Sequence, residues 1–247
     1  MKTFLITAVL GIGLMAAEKP QAPNTLTAKE KKEGWQLLFD GKTSKGWRGA
    51  YKDAFPAKGW VIEDGTLSIT KTDGSESTHY GDIVTEGEYG DFDLMFEFKL
   101  TEGANSGLKY FVEEHKPKPS GSAYGLEYQV LDDDKHPDAK MGRDGNRTVG
   151  SLYDLIPAKD KKVNPIGEWN QSRIVSKGSH VEHWLNGKKV VEYERGSEAF
   201  RNLVAQSKYK ASSYNAHGRF GEAPKGHILL QDHGDRVSFR NMKIKQL

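Results

Sequence analysis

The sequence predicts an all-β fold, a sandwich of two antiparallel sheets with one short helix. Short strand-like segments recur from Gly34 onward and are separated by Gly, Asp and Asn. In several of these segments apolar and polar side chains alternate, which is the period of two expected for a strand with one buried face. The chain shows no strand–helix–strand rhythm, so a parallel α/β sheet is not indicated.

The clearest predicted elements are two β-hairpins with two-residue turns. Trp60–Glu63 pairs with Thr66–Thr70 through Asp64-Gly65, and Ser179–Leu185 pairs with Lys188–Glu194 through Asn186-Gly187. Asp-Gly and Asn-Gly are the dipeptides that such turns prefer. Further strands are expected, in chain order, at Asp91–Leu100, Gly107–Val112, Tyr124–Leu131, Val149–Tyr153 and Trp169–Ser176.

The alternation also predicts which residues form the core. Within Asp91–Leu100 one face carries Phe92, Leu94, Phe96 and Phe98, and the other carries Asp93, Met95, Glu97 and Lys99. In the first strand of the second hairpin, Val181, His183 and Leu185 oppose Glu182 and Trp184. The one helical pattern is Ser197–Gln206, with Phe200, Leu203 and Val204 on one side.

Length and composition indicate a single ordinary globular domain. The chain has 247 residues, of which 36% are hydrophobic and 28% charged, with a net charge of +2. No repeat and no second compositional regime is present, so one domain is expected at 34–247, preceded by a polar, charged linker at 18–33. No basic cluster with interleaved aromatic residues occurs, which argues against a nucleic-acid partner. Protein partners cannot be inferred.

The first 17 residues have the character of a secretory signal peptide. Lys2 provides a positive start, 4–15 are apolar, and Ala16-Ala17 offer a small-residue cleavage site. The apolar run is shorter than the ~20 residues that span a bilayer, so no membrane span is expected in the mature form. A lipoprotein would need a cysteine at the cleavage point, and the chain has none. We therefore expect a secreted or periplasmic protein without disulfides.

The segment Gly226–Leu247 is expected to hold two strands joined around a His-Gly turn. In its first strand Ile228 and Leu230 suit the core, whereas Gln231 and His233 fall on the opposite, wet face. An amide beside an imidazole on the open face of a sheet suits a polar ligand such as a sugar. A solvated strand end is the alternative.

A second group of polar residues lies on the strand Tyr124–Leu131. Glu127 and Gln129 share one face, where they present an acceptor and a donor–acceptor to the same ligand. Both could instead simply face water. The acidic run 132–138 could bind a hard cation, but it lacks the glycine and terminal glutamate of an EF-hand loop, which favours a solvated loop.

Other polar and aromatic residues fit either a core or a site. Asn105 lies between two strands and could belong only to a turn, and His183 has the pattern of a core histidine bonded to a backbone carbonyl. The tryptophans that could be core residues or sugar-stacking platforms are Trp47, Trp60, Trp169 and Trp184.

Known catalytic motifs are missing. The sequence has no G-x-S-x-G, H-E-x-x-H or P-loop pattern. Retaining glycosidases on related sandwiches place their carboxylates on one strand as E-x-D-x-x-E, and here an amide, Gln129, follows Glu127 where a carboxylate would stand. A conventional double displacement is therefore disfavoured.

Seven segments, in one order, carry a family resemblance over nearly all of 34–247. They are WQLLFDGKTSKGW, GWVIEDGTL, DFDLMFEFKLTEGANSG, YGLEYQVLDD, TVGSLYD, GEWNQSRIVSKGSHVEHWLNGKKV and LQDHGDRVSFRNMKI. Together they resemble the 3-keto-disaccharide hydrolase domain family, long described as a domain of unknown function. The resemblance implies a concanavalin A-like jelly roll with its ligand site on the concave sheet. It also implies cleavage of glycosides whose glucose carries a ketone at C3, and some relatives are described as lyases.

The resemblance also implies the site residues. The concave-face candidates are Glu127, Gln129, His183, Gln231 and His233, with Asn105 and Lys109 flanking the pocket. His233 or Glu127 is expected to act as the base. A small carbohydrate is the implied substrate. Nothing in the sequence requires a cofactor, and the need for a divalent metal is left open.

The chemistry is compatible with these residues. A C3 ketone acidifies the hydrogen on C2, so a single base can start an elimination that expels the group at C1, after which water can add. A carbohydrate-binding module that uses the same face without turnover is the alternative. It would show aromatic platforms, whereas an enzyme would show clustered titratable groups.

Overall fold

The computed structural model describes residues 21–72, 80–116, 118, 122–211 and 219–247. The predicted signal peptide, 1–17, lies outside them. The helices are α1 (Ala28–Lys32) and α2 (Glu198–Ala205), with 3₁₀ turns at Pro137–Lys140 and Lys208–Lys210. The strands are β1 (Gln36–Leu37), β2 (Trp47–Gly49), β3 (Trp60–Glu63), β4 (Thr66–Ile69), β5 (Ile83–Thr85), β6 (Phe92–Leu100), β7 (Asn105–Glu113), β8 (Tyr124–Leu131), β9 (Trp169–Lys177), β10 (His180–Leu185), β11 (Lys188–Glu194), β12 (His227–Leu230) and β13 (Val237–Gln246).

These strands form two antiparallel sheets, which confirms the predicted jelly-roll sandwich. The large sheet has the order β11-β10-β9-β6-β13-β4-β3, with β1 also paired to β13, and the small sheet has the order β2-β5-β12-β7-β8. The core lies between the sheets and contains the six apolar residues expected there, all at most 1% exposed: Phe92, Leu94, Phe96, Phe98, Ile228 and Leu230. Burial of these faces from water is the main force holding the sheets together.

Both predicted hairpins are confirmed. β3 pairs with β4 around Asp64-Gly65, and β10 pairs with β11 around Asn186-Gly187. All four turn residues have positive φ, between 47° and 80°. Asn, Asp and Gly tolerate that left-handed conformation, which matches the twist of the paired strands. Helix α2 lies within the predicted helical stretch, begins after its N-cap Ser197 and buries Phe200 and Val204.

Two predictions about the strands were wrong. β12 and β13 are not a hairpin, because β12 belongs to the small sheet and β13 to the large one. His233-Gly234 therefore lies in a loop that crosses between the sheets. Val149–Tyr153 is not a strand, and its pairing is limited to single bridges of Leu152 with Tyr128 and Ile156. Its backbone groups are hydrogen-bonded partly to Glu127 and Gln129 of β8 and partly within turns at 145–156.

The segment expected to be a linker contains helix α1 and is attached to the sandwich. Thr27 and Glu30 form a capping box at the start of this helix. Asn24 and Asn241 exchange backbone-to-side-chain hydrogen bonds of 2.6 and 2.8 Å. Glu30 also pairs with Lys243 of β13. Among the described residues, no helix has the length and apolar character needed to cross a membrane.

Candidate active site

The candidate site lies on the outer face of the small sheet, where β7 and β8 are neighbours. In their antiparallel register Lys109 is opposite Glu127, and Gly107 is opposite Gln129. The alternate residues Leu108 and Tyr128 point into the core. Because side chains alternate along a strand, Lys109, Glu127 and Gln129 project from the outer face, as the sequence predicted for Glu127 and Gln129.

This face is less open than the sequence suggested. Leu229 of β12 shares it and is fully buried, in a small apolar cluster with Val84, Val112 and Ala123. Ala50 and Tyr51 pack over that cluster. The site is therefore a polar region with an apolar wall, and not a strand end surrounded by water.

Gly107 makes room for two side chains above the strand. A Cβ atom built on Gly107 would lie 2.6 Å from Glu127 Oε1 and 2.8 Å from Gln231 Oε1. The carboxylate of β8 and the amide that follows β12 thus converge over one glycine. Gln231 is fixed there because its backbone N–H donates to the Gly107 carbonyl at 2.9 Å. We call Asn105, Gly107, Lys109, Glu127 and Gln231 the Glu127 site.

Lys109 connects Glu127 to a chain of polar groups. Its Nζ donates to Ser122 Oγ at 2.7 Å and to the Ala123 carbonyl at 3.3 Å, and lies 3.8 Å from Glu127 Oε2. Ser122 in turn donates to Asp82. Asp82 Oδ1 accepts the backbone N–H of the residue after Gln231 at 2.9 Å. This chain fixes the lysine and ties β7 and β8 to the crossover loop.

Glu127 is a buried carboxyl group whose pKa is raised. It is 4% exposed. Burial raises the pKa of Glu127, because the charged form loses its hydration, and the positive charges of Lys109 and Lys208 oppose that rise. A carboxylate whose pKa is raised is a stronger base than an ordinary carboxylate, which suits it to proton abstraction.

Two amide oxygens in the site have no hydrogen-bond partner among the residues that the structure describes. They are Asn105 Oδ1 and Gln231 Oε1, on side chains that are 6% and 8% exposed. A buried acceptor without a donor costs about 1–3 kcal/mol, so such atoms are rare without a function. Hydroxyl groups of a ligand would satisfy both oxygens.

Sequence reasoning missed the residues that line the site on the β8 side. Tyr153 donates its backbone N–H to the Glu127 carbonyl at 3.0 Å and its hydroxyl to Asp138 at 2.8 Å. Arg147 binds Asp138 at 2.8 Å and Asp154 at 2.7 Å. Burial, together with the negative charges of Glu127 and Asp138, raises the pKa of Tyr153. The segment TVGSLYD is one of the seven that carry the family resemblance. Its residue types alone gave no indication of a site.

Gln129 is two residues from Glu127 on β8, and His233 is two residues from Gln231 in the crossover loop. Gln129 is 1% exposed, and its Oε1 accepts the N–H of Val130 at 3.2 Å. Its backbone pairs with the loop at 150–151. His233 is half-buried in the crossover loop, two residues beyond Gln231. Their roles toward substrate stay predictions.

His183 lies elsewhere, in the core between the sheets. It is fully buried, with Nδ1 3.0 Å from the Gly150 carbonyl and Nε2 2.8 Å from the Tyr110 hydroxyl. A carbonyl only accepts, so Nδ1 carries the proton and Tyr110 donates to Nε2. Burial lowers the pKa of His183 to about 4. We therefore leave this residue out of the site, although the resemblance suggested it as a substrate contact.

A possible metal-ligand group lies on the large sheet, away from the Glu127 site. His180, Glu182 and Glu192 place ligand atoms within 4.8 Å of one another, as the one such group within the described ranges. Lys189 Nζ lies 3.1 Å from Glu182 and 2.7 Å from Glu192, and so compensates part of their negative charge.

The acidic run at 132–138 is an ordered loop in which Asp134 is exposed to solvent. The buried Asp132 accepts backbone N–H groups at 2.7 and 3.0 Å. Asp133 pairs with Lys161 at 2.6 Å. These carboxylates are engaged in holding the loop, which gives no indication of a calcium site.

Comparisons with known proteins agree with this architecture. Residues 34–245 match the family described as the 3-keto-alpha-glucoside-1,2-lyase-like domain. A 3-keto-disaccharide hydrolase of Bacteroides thetaiotaomicron is 39% identical over 232 residues, which is 87% of this chain and 79% of that protein. A crystal structure of a candidate glycosyl hydrolase from Parabacteroides distasonis superposes with a TM-score of 0.77 at 35% identity, covering 92% of this chain and 100% of the other.

A second crystal structure from the same organism, also of a candidate glycosyl hydrolase, gives a TM-score of 0.63 at 28% identity. It covers 86% of this chain and 99% of the other. Fold and relatives together define a glycosidase-like enzyme built on a β-sandwich. The chain belongs to the 3-keto-α-glucoside-1,2-lyase-like domain family.

Proposed function

We propose that this chain cleaves the glycosidic bond of 3-keto-glycosides, starting with removal of the C2 proton by Glu127. The observation that carries the proposal is the Glu127 site itself, a buried carboxyl of raised pKa beside the amide oxygen of Gln231. That oxygen and the one of Asn105, which is two residues from Gly107 on the same face of β7, have no hydrogen-bond partner among the described residues. A base of that kind suits an acidified C–H bond, and the two oxygens suit the hydroxyl groups of a sugar.

The proposed reaction balances with the groups of this site. Glu127 takes the proton from C2, and the electron pair of the C–H bond moves into the C2–C3 bond and onto the C3 oxygen as an enolate. When the C3 carbonyl re-forms, a C1–C2 double bond forms and the C1–oxygen bond breaks. The leaving oxygen takes a proton, for which we assign His233, because imidazole is a common general acid and His233 follows Gln231 by two residues. Addition of water across the new double bond gives overall hydrolysis.

A conventional glycosidase mechanism finds less support. It needs two carboxyl groups placed across the scissile bond. The two acidic side chains whose charges act on Glu127 are Asp82 and Asp138. Asp138 is held by Arg147 and Tyr153, and Asp82 by Ser122 and a backbone N–H. Both are thereby committed to structure.

A purely carbohydrate-binding role is also less favoured. Such a module would present aromatic rings on the ligand face. Trp47 and Trp60 are buried, and Trp169 and Trp184 lie on the large sheet, where they contact Arg240 and Arg173. The groups gathered around Glu127 are titratable instead.

The experiment is to follow purified protein by NMR with a 3-keto-glucoside and with the same glucoside unoxidised. We expect cleavage of the ketone only, and slower cleavage when deuterium replaces the C2 hydrogen. Efficient cleavage of the unoxidised compound would overturn the proposal, as would binding of the ketone without any product.

Export is part of the proposal, from the character of 1–17. Intact-mass analysis of protein from the periplasm or medium should show that Met1 and the following 16 residues have been removed. Mature protein that retains Met1 would contradict it.

A further inference from the structure

Lys208 lies beside the Glu127 site. It opens the 3₁₀ turn Lys208–Lys210, which is capped by Ser207. Its backbone N–H donates to Asp154 at 2.7 Å. Its Nζ lies 4.2 Å from the centre of the Tyr153 ring, within the range of a cation–π contact. The backbone N–H of Tyr153 is hydrogen-bonded to the carbonyl of Glu127. The ammonium group of Lys208 therefore lies close enough to the buried carboxyl for the two charges to act on each other.

Of the cations that act on Glu127 in the described part of the chain, Lys208 is the one whose side-chain donors are not engaged. Lys109 is committed to Ser122 and the Ala123 carbonyl, and Arg147 to Asp138 and Asp154. Among the described residues, Lys208 Nζ makes no hydrogen bond or ion pair, and it contacts the rings of Tyr153 and Tyr209. The hydroxyl of Tyr153 is also used, because it donates to Asp138.

The electrostatic surroundings of Lys208 agree with this placement. The Lys208 residue as a whole is exposed to solvent, but protein atoms packed around its ammonium group reduce the hydration of the charge and so lower the pKa of Lys208. The positive charges of Lys109 and Arg147 lower this pKa further. The charge of Glu127 opposes the decrease. An ammonium whose donors are not engaged by a carboxylate of the described residues is positioned to gain when negative charge develops nearby.

We propose that Lys208 is a catalytic residue that binds the C3 oxygen of the substrate and stabilises the enolate formed when Glu127 removes the C2 proton. This inference rests on the proposed function. The lysine donates a hydrogen bond to the ketone oxygen, which gains the negative charge as the proton leaves C2. No bond to nitrogen forms. When the C3 carbonyl re-forms, the enolate electron pair makes the C1–C2 double bond and the C1–oxygen bond breaks, so that its electron pair leaves on the departing oxygen. The interaction is therefore stronger in the transition state than in the bound substrate, which is the condition for raising kcat.

The test compares Lys208→Ala with Lys210→Ala. Lys210 belongs to the same 3₁₀ turn and is exposed, so the control matches the loss of charge and local structure. Removal of one donor to a developing oxyanion typically lowers kcat by about 10²–10³. We expect that loss for Lys208→Ala, with KM changed much less, and near wild-type kcat for Lys210→Ala. Lys208→Arg, which keeps the charge, should recover part of the rate.

A second readout separates catalysis from folding. In deuterated water the wild type should exchange the C2 proton of a 3-keto sugar that lacks a leaving group, and Lys208→Ala should exchange it at a comparably reduced rate. Melting temperatures identify a folding defect, and if Lys208→Ala is unstable the same comparison is made with Lys208→Gln. Exchange and kcat within a few-fold of wild type would overturn the role of Lys208. If the wild type itself neither cleaves nor exchanges, the proposed function fails instead.

Discussion

Glu127 and Lys109 stand directly opposite each other on adjacent antiparallel strands, yet their charged atoms are 3.8 Å apart. That distance is an ion pair but too long for a hydrogen bond. The ammonium group of Lys109 instead donates a hydrogen bond of 2.7 Å to the Ser122 hydroxyl. On the large sheet, by contrast, Arg173 holds Asp93 with two hydrogen bonds of 2.7 and 2.6 Å. Glu127 therefore has a compensating charge while its oxygens stay available to a substrate.

The first prediction concerns Glu127→Gln, which should abolish cleavage of 3-keto-glycosides. An amide has nearly the same shape as the carboxyl but cannot accept the C2 proton, and loss of one general base typically costs ~10²–10⁴ in rate. Steady-state kinetics with a 3-keto-glucoside checks this. Turnover near the wild-type value would exclude Glu127 as the base.

The same variant should be more stable than the wild type at neutral pH. The pKa of Glu127 is raised in the folded protein, so between its unfolded and folded values the native state binds more protons, and stability falls as pH rises through that window. Glutamine stays neutral and avoids this loss. Melting curves should show the gain at pH 7 and its disappearance well below the ordinary pKa of 4.5, near pH 3, where the carboxyl is protonated in the folded and in the unfolded protein. An equal gain at both pH values would contradict the explanation.

The second prediction concerns Gly107→Ala, which should reduce activity strongly while the protein stays folded. The new methyl group would meet the ends of Glu127 and Gln231 at less than 3 Å, and both side chains would have to move. A 1 Å displacement of a catalytic group can cost about 10²-fold in rate. The matched control is Gly49→Ala in the same sheet, whose methyl group would meet only the flexible Lys52 side chain at 3.0 Å and otherwise lie in ordinary contact. Equal activities of the two variants would show that Gly107 has no such role.

The sandwich could be predicted because its signals are local. Alternation in Phe92–Leu100 and the turn residues at 64–65 and 186–187 determine strand faces and hairpins without reference to distant parts of the chain. The exchange of β12 and β13 between sheets could not be predicted, since a short loop at His233-Gly234 fits a hairpin equally well. What decides it is the pairing of β12 with β5 and β7, which are more than 100 residues away.

The site could be predicted only in part for the same reason. Glu127 and Gln231 were identified because each lies on a strand face with a clear polarity. Lys208 and Tyr153 were not, because they lie in turns where no periodicity assigns a direction. For His183 the alternation pattern and the family resemblance indicated different positions. Its apolar neighbours in alternation indicated a core position, and the structure places it there despite the family likeness.

The third prediction concerns the unpartnered amide oxygens. Gln231→Leu removes one of them and keeps a similar volume, so it should leave the melting temperature unchanged or slightly raised, because a buried acceptor without a donor is costly. It should also weaken substrate binding, seen as a higher KM or as a higher Kd for an unreactive 3-keto sugar. A large loss of stability would show that Gln231 has a structural role instead.

The fourth prediction concerns the pH dependence of folding through His183. Its pKa is about 4 in the folded protein and 6.5 unperturbed. Between these values the unfolded chain binds more protons, so stability is lost as pH falls from 6.5 to 4, by about 3 kcal/mol at 1.36 kcal/mol per pKa unit. Urea unfolding at a series of pH values measures this slope. His183→Gln should be less stable at pH 7.5 but should show a flatter slope, whereas His115→Gln, at a half-exposed histidine, should keep the wild-type slope.

The fifth prediction concerns His233, the assigned proton donor to the leaving oxygen. His233→Ala should lower kcat by about 10²–10⁴ for a substrate with a poor leaving group, because a general acid is most needed there. With a leaving group as acidic as a nitrophenol the loss should be much smaller, since that oxygen departs without a proton. The melting temperature should stay near the wild-type value, as the side chain is only half-buried and lies in a loop. His227→Ala is the control, because His227 is also half-buried but lies at the other end of β12, where it contacts the Gly87 carbonyl. If His233→Ala loses the same factor with both substrates, His233 does not protonate the leaving group, and if it unfolds the protein the histidine is structural.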